Sequence, residues 1–147
     1  MTFDGIIEAL GGRLGVEIEN AGGASAVEID GTVVVLQDAG EFLLLRAEIG
    51  ELPDEGRDAL VASAMKANFL YQGTGGSTLA LDPDSGRLVI QKYNWLERLD
   101  PESAFDMLEH FADTVAAWQR IVADYRPVAE TTFPESSPLG AEPFMQV

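Results

Sequence analysis

Few side chains in this chain could perform covalent or metal chemistry. It contains one histidine, His110, and no cysteine. A nucleophilic triad needs a base beside the nucleophile, and a single histidine gives no Ser-His-Asp arrangement to argue for. We expect His110 to be a surface or boundary residue of a helix. The missing cysteines exclude disulfides, thiolate zinc sites, iron–sulfur clusters and a cysteine nucleophile.

A carboxylate site for calcium is the next candidate. Asp82, Asp84 and Ser85 resemble the start of a calcium loop, but the twelfth position is Tyr93 and not a bidentate glutamate. A hairpin turn over residues 82–86 explains these residues better. The sequence therefore predicts no metal and no cofactor.

The glycine-rich segment Gly73-Thr74-Gly75-Gly76 is the remaining motif. A phosphate-binding P-loop follows a strand, opens a helix and contains a lysine, whereas this segment follows a predicted helix, opens a strand and has none. We interpret it as a helix stop. Because acidic residues are so numerous, no particular acid/base pair stands out. We assign no catalytic residue and expect a protein that is not an enzyme.

Charge and hydrophobicity narrow the class of protein further. The 147 residues include 25 acidic and 9 basic ones, which gives a net charge of -16. Such a charge argues against binding to nucleic acid or to an anionic membrane. Since 46% of residues are hydrophobic, the chain is expected to fold rather than to be disordered. It opens without a basic or apolar leader and has no membrane-length apolar run, so we expect a cytoplasmic location.

Periodicity predicts an α+β protein with the order α-β-β-β-α-β-β-α. An apolar stripe from Phe3 to Leu14 predicts the first helix, ended by Gly15. Strands are predicted at residues 26–29, 32–37 and 41–49, and short turns between them require antiparallel pairing. A second helix is expected from residue 56 to about residue 72, followed by a hairpin of strands at 78–82 and 87–95. The last helix begins at the N-cap Asp100.

Three of these elements are too apolar for an isolated domain. Residues 33–36 and 42–45 are apolar on both faces of their strands, although a half-exposed strand should alternate. The apolar arc of the second helix is likewise too wide for a surface helix. We expect a partner to cover these surfaces. Residues 1–126 are predicted to form one domain, and residues 127–147 a proline-rich tail.

The order of elements, with several local motifs, resembles the type III secretion chaperones of the single-effector (Tir chaperone-like) class. The motifs are a first helix ending in LGGRLG at residues 10–15, a third strand running into Leu-Pro at 52–53, and an Ala-Asn pair at 67–68. A Gly-Gly-Ser-Thr-Leu run at 75–79 and a Leu-Asp pair at 99–100 follow in the same order. The similarity covers residues 3–125.

The resemblance implies a cytoplasmic homodimer that binds the N-terminal segment of a secreted effector in extended form and keeps it competent for export. The residues expected to touch this client are apolar positions on the first helix and on two strands: Phe3, Ile7, Val33, Val35, Phe42 and Leu44. The residues expected at the dimer interface lie on the second helix and just beyond it: Leu60, Val61, Ala64, Met65 and Phe69. The alternative is a regulatory or assembly protein of the same fold with a non-secreted partner.

Overall fold

The structure is a computed structural model that describes residues 1–127, so most of the predicted tail lies outside the described residues. The elements are α1 (Phe3–Leu14), β1 (Ala24–Ile29), β2 (Thr32–Ala39), β3 (Phe42–Gly50), α2 (Arg57–Asn68), β4 (Thr78–Leu81), β5 (Leu88–Trp95) and α3 (Pro101–Asp124). The strands form one antiparallel sheet in the order β1-β2-β3-β5-β4. The predicted order of elements and the α+β class are confirmed.

The first helix is bounded as its sequence indicates. The Thr2 side chain accepts a hydrogen bond from the backbone N–H of Gly5, which satisfies one of the free donors of the first turn. Gly15 adopts a left-handed conformation with φ of 70° and ends the helix. The predicted apolar stripe faces the core.

The hairpins set the register of the sheet. Asp30 and Gly31 both have positive φ, as a two-residue turn between twisted strands requires, and they place Ile29 opposite Thr32. β1 begins two residues earlier than predicted, because Ala24 pairs with Gln37. β2 continues to Ala39 for the same reason, since that residue pairs with Phe42.

One face of the sheet, which we call the inner face, forms the hydrophobic core with α1 and α3. It carries Val34, Leu36, Leu43 and Leu45, all fully buried. α3 adds the predicted seam from Ala104 to Trp118. Asp100 caps α3 by accepting from the backbone N–H of Ser103, and that hydrogen bond holds the pKa of Asp100 below its usual range.

The second helix differs from its prediction. It ends at Asn68, and residues 69–71 form a 3-10 turn in which Leu70 and Tyr71 have positive φ. Within the described residues it buries only Leu60 and Ala64, so it does not lie inside the core. The Asn68 side chain bonds to the backbone of β4 and so ties this end of the helix to the sheet.

Candidate functional site

The face of the sheet opposite the core, which we call the outer face, is the first candidate surface. Because side chains alternate along a strand, Val33 and Val35 of β2 point away from buried Val34 and Leu36. Phe42 and Leu44 of β3 point to the same side, opposite Leu43 and Leu45. The structure thus brings four predicted client-binding residues onto one face and separates them from the core.

An aromatic cluster extends the outer face onto β5. Phe42 packs against Trp95 with ring centroids 4.2 Å apart, and against Tyr93 edge-on at 5.7 Å. Leu44, opposite Tyr93 in the register, is almost fully buried on this side of the sheet and lies outside the main core cluster. Tyr93 and Trp95 remain 57% and 39% exposed. Large aromatic side chains left in water are typical of a surface that receives a partner.

Tyr93 and Trp95 are residues of this candidate surface that the sequence did not predict. The strand 87–95 was predicted, but its alternation alone does not say which side chains face the core. That is fixed by the pairing of β5 with β3, which places Trp95 opposite Phe42. The information that puts Tyr93 and Trp95 on the outer face is therefore the pairing register of two strands about fifty residues apart in sequence, which neither strand shows by itself.

The structure does not bring Phe3 and Ile7 onto the outer face. Both are buried on α1 as members of the core. Each nevertheless borders a cleft at the surface. Ile7 lines one of about 590 Å³ between α1 and residues 15–18, and Phe3 lines one of about 460 Å³ that also contains Trp95.

The predicted interface residues of α2 fall into two groups. Leu60 and Ala64 are buried in the core, and Val61 is partly buried against it. Met65 and Phe69 are 69% and 67% exposed. Together with Leu70 and Tyr71, which are also exposed, they lie on α2 and on the 3-10 turn that follows it, and we call these four residues the α2 patch.

The two edges of the sheet are unequal. At the β4 edge, Asn68 Nδ2 donates to the carbonyl of Leu79 at 3.0 Å, and the N–H of Leu79 donates to Asn68 Oδ1 at 2.8 Å. The side chain thereby occupies both outward-directed backbone groups of Leu79, in a strand of only four residues. At the β1 edge, Ile29 and Thr32 close the turn as a hydrogen-bonded pair, so alternate residues Ala26 and Glu28 direct their N–H and C=O away from β2. The β1 edge is therefore the one available for strand addition.

The residues considered for metal binding or catalysis make ordinary structural interactions. Asp82 accepts from the backbone N–H of Asp84 in the β4–β5 turn, which holds the pKa of Asp82 below its usual range. Glu48 pairs with Arg87 and raises the pKa of that arginine. His110 is exposed beside Gly75 in the loop before β4. Residues 1–127 contain no group of three or more His, Cys, Asp or Glu arranged to hold a metal ion.

None of the helices in the described part of the chain has both the length and the apolar character needed to cross a bilayer.

The family model of the Tir chaperone protein (CesT) family matches residues 5–119. The chain belongs to this family. The match spans the whole sheet and most of α3, and it stops before the tail. No curated protein is similar enough in sequence to match the chain.

Solved structures share the fold at low sequence identity. A chain of the HopA1–SchA chaperone–effector complex is 20% identical with a TM-score of 0.62, over 84% of this chain and 94% of that one. A chain of the ExoU–SpcU complex from the type III secretion system of Pseudomonas aeruginosa is 16% identical with a TM-score of 0.65, over 80% and 97%. YbjN of E. coli is 13% identical with a TM-score of 0.59, over 84% and 92%.

Proposed function

We propose that this member of the Tir chaperone family is a non-enzymatic cytoplasmic chaperone. It binds the N-terminal segment of a type III secreted effector in extended form and keeps that segment competent for export. The observation that carries the proposal is the outer face of this acidic protein, which has Val33 and Val35 at one end of β2 and the cluster of Phe42, Leu44, Tyr93 and Trp95 at the other. Family membership and the fold shared with chaperone–effector complexes support it.

The client is proposed to lie along the sheet as an added strand. Hydrogen bonds to the backbone of Ala26 and Glu28 supply affinity, and alternate client side chains reach Val33 and Val35 on the outer face. The clefts beside Phe3 and Ile7 receive client side chains at the rim of α1. Beyond the added strand, the client is proposed to continue across the outer face to Phe42 and Leu44, with Phe3 and Ile7 as minor contacts.

We also propose that the protein is a homodimer whose interface includes the α2 patch. Met65, Phe69, Leu70 and Tyr71 expose apolar side chains that a second copy would cover. In light scattering we expect twice the monomer mass. The paired variant Met65→Glu/Phe69→Glu should give the monomer mass, whereas Glu109→Gln on exposed α3 should not; a wild-type monomer would overturn this proposal.

The client proposal is tested by co-expressing the chain with proteins encoded beside its gene. We expect one of them to co-purify through its N-terminal segment, and that segment to be protected from limited proteolysis while remaining extended. A chain carrying Val33→Asp and Tyr93→Asp should lose the complex and stay folded. If no polypeptide is retained through an N-terminal segment, the proposed function is wrong.

A second candidate function is a regulatory or assembly protein of the same fold. The observation in its favour is the shared fold with YbjN, a candidate transcription regulator. The two functions differ in the fate of the partner. A co-purifying protein that is never exported would favour the regulatory function.

A further inference from the structure

The charge of this protein is unevenly distributed along the chain. Between Arg13 and Arg46 there is no lysine or arginine, while the same stretch holds six carboxylates. They are Glu17, Glu19, Glu28, Asp30, Asp38 and Glu41. None of the six forms an ion pair within residues 1–127, so this acidity has no cation of the chain to neutralise it.

This basic-free stretch builds the available edge of the sheet. It forms the connection after α1, then β1, β2 and the start of β3. Ala24 is occupied by hydrogen bonds with Ala21, which leaves Ala26 and Glu28 as the backbone groups directed outward. Arg46, opposite Val35 in the register, bounds the acidic region on the β3 side.

A cleft of about 470 Å³ opens at the same edge. Glu17 and Glu19 line one side of it, and Ser25, Ala26 and Val35 line the other. Ala26 and Val35 point to the outer face, so Glu17 and Glu19 border a cleft on the same side of the sheet as Glu28.

We infer, on the basis of the proposed function, that the segment bound along β1 is basic. The client strand carries lysine or arginine at the alternate positions that point to the outer face, where their charged ends reach Glu17, Glu19 and Glu28 and their aliphatic stems cover Val33 and Val35. The intervening positions are apolar and point to the inner side of the sheet, beside Val27 and Ile29. Opposite charges across neighbouring strands stabilise their pairing, and like charges destabilise it. The uncompensated carboxylates also accelerate encounter with a basic segment and disfavour acidic ones.

The test uses three synthetic peptides fused to one carrier protein. They share alternating Val and Leu and differ only at the intervening positions, which are Lys, Ser or Glu. With the full chain at low salt we expect the Lys peptide to bind about tenfold more tightly than the Ser peptide, and the Glu peptide most weakly. Added salt should reduce the difference, because exposed charges are screened.

Two charge variants of the protein test which carboxylates give the preference for the Lys peptide. The triple variant Glu17→Gln/Glu19→Gln/Glu28→Gln should lose most of the preference for the Lys peptide. The control Asp106→Asn/Glu109→Gln/Asp113→Asn makes the same change of net charge on the exposed side of α3 and should keep it.

Two results would overturn the inference and leave client binding intact: equal affinity for the Lys and Ser peptides, or equal loss of preference in both variants. If none of the peptides binds, the inference is overturned, and the co-purification experiment decides separately whether the proposed function survives.

Discussion

At the scale of single residues, neighbours in one strand have different roles. Val33 is 55% exposed on the outer face, whereas Val34, the next residue, is fully buried in the core. Leu44 and Leu45 also point to opposite faces, although both are buried. Within each apolar run, alternate residues therefore belong to the core and to the outer face.

This division gives a direct test of the two faces. Val34→Ser should lower the free energy of unfolding by about 3 kcal/mol, because it leaves a cavity and buries a hydroxyl. Val33→Ser should change it by no more than about 0.5 kcal/mol, since the side chain is exposed. Urea denaturation measures both, and comparable losses at the two positions would show that the outer face is not free in solution.

The sequence predicts the candidate client-binding residues well on some elements and poorly on others. For β2 and β3, the apolar runs identify Val33, Val35, Phe42 and Leu44 because those strands have more apolar residues than one core can hold. For Phe3 the sequence says less, because the stripe of α1 shows which side is apolar but not that the sheet and α3 cover most of it.

At the scale of elements, local signals place the helices and strands well. Caps such as Asp100 and turns such as Asp30-Gly31 act through adjacent residues, so their effects can be read from the sequence. The end of α2 could not be read in this way. Its last residue, Asn68, forms its hydrogen bonds with Leu79, which is distant in the chain.

Asn68 closes the β4 edge, and its removal should be measurable. Asn68→Ala leaves the N–H and C=O of Leu79 without partners in a partly buried position. We expect a loss of about 1–3 kcal/mol in the free energy of unfolding, from chemical denaturation. Lys66→Ala, on the exposed side of the same helix, is the matched control and should have little effect. An Asn68→Ala variant as stable as the control would mean that the edge is closed by something else.

At the scale of the whole molecule, the acidity and the hydrophobicity are complementary. A net charge of -16 keeps a protein with exposed Phe69, Leu70, Tyr93 and Trp95 soluble before its partners bind. The sequence predicted that partners were needed, because the domain is too small to cover its own apolar strands. It could not assign the two exposed surfaces, since that requires the three-dimensional separation of the outer face from the α2 patch.

The central claim is that the client binds on the outer face, and the two tryptophans of the chain allow it to be tested. Trp95 lies exposed on that face, whereas Trp118 is buried and donates to the carbonyl of Gly73 at 2.9 Å. Acrylamide quenching of tryptophan fluorescence therefore reports chiefly on Trp95, and the Trp95→Phe variant gives the remaining contribution of Trp118. With the co-purifying client segment at saturation, we predict that Trp95 becomes protected from quenching. Unchanged quenching of Trp95 in the saturated complex would contradict the account.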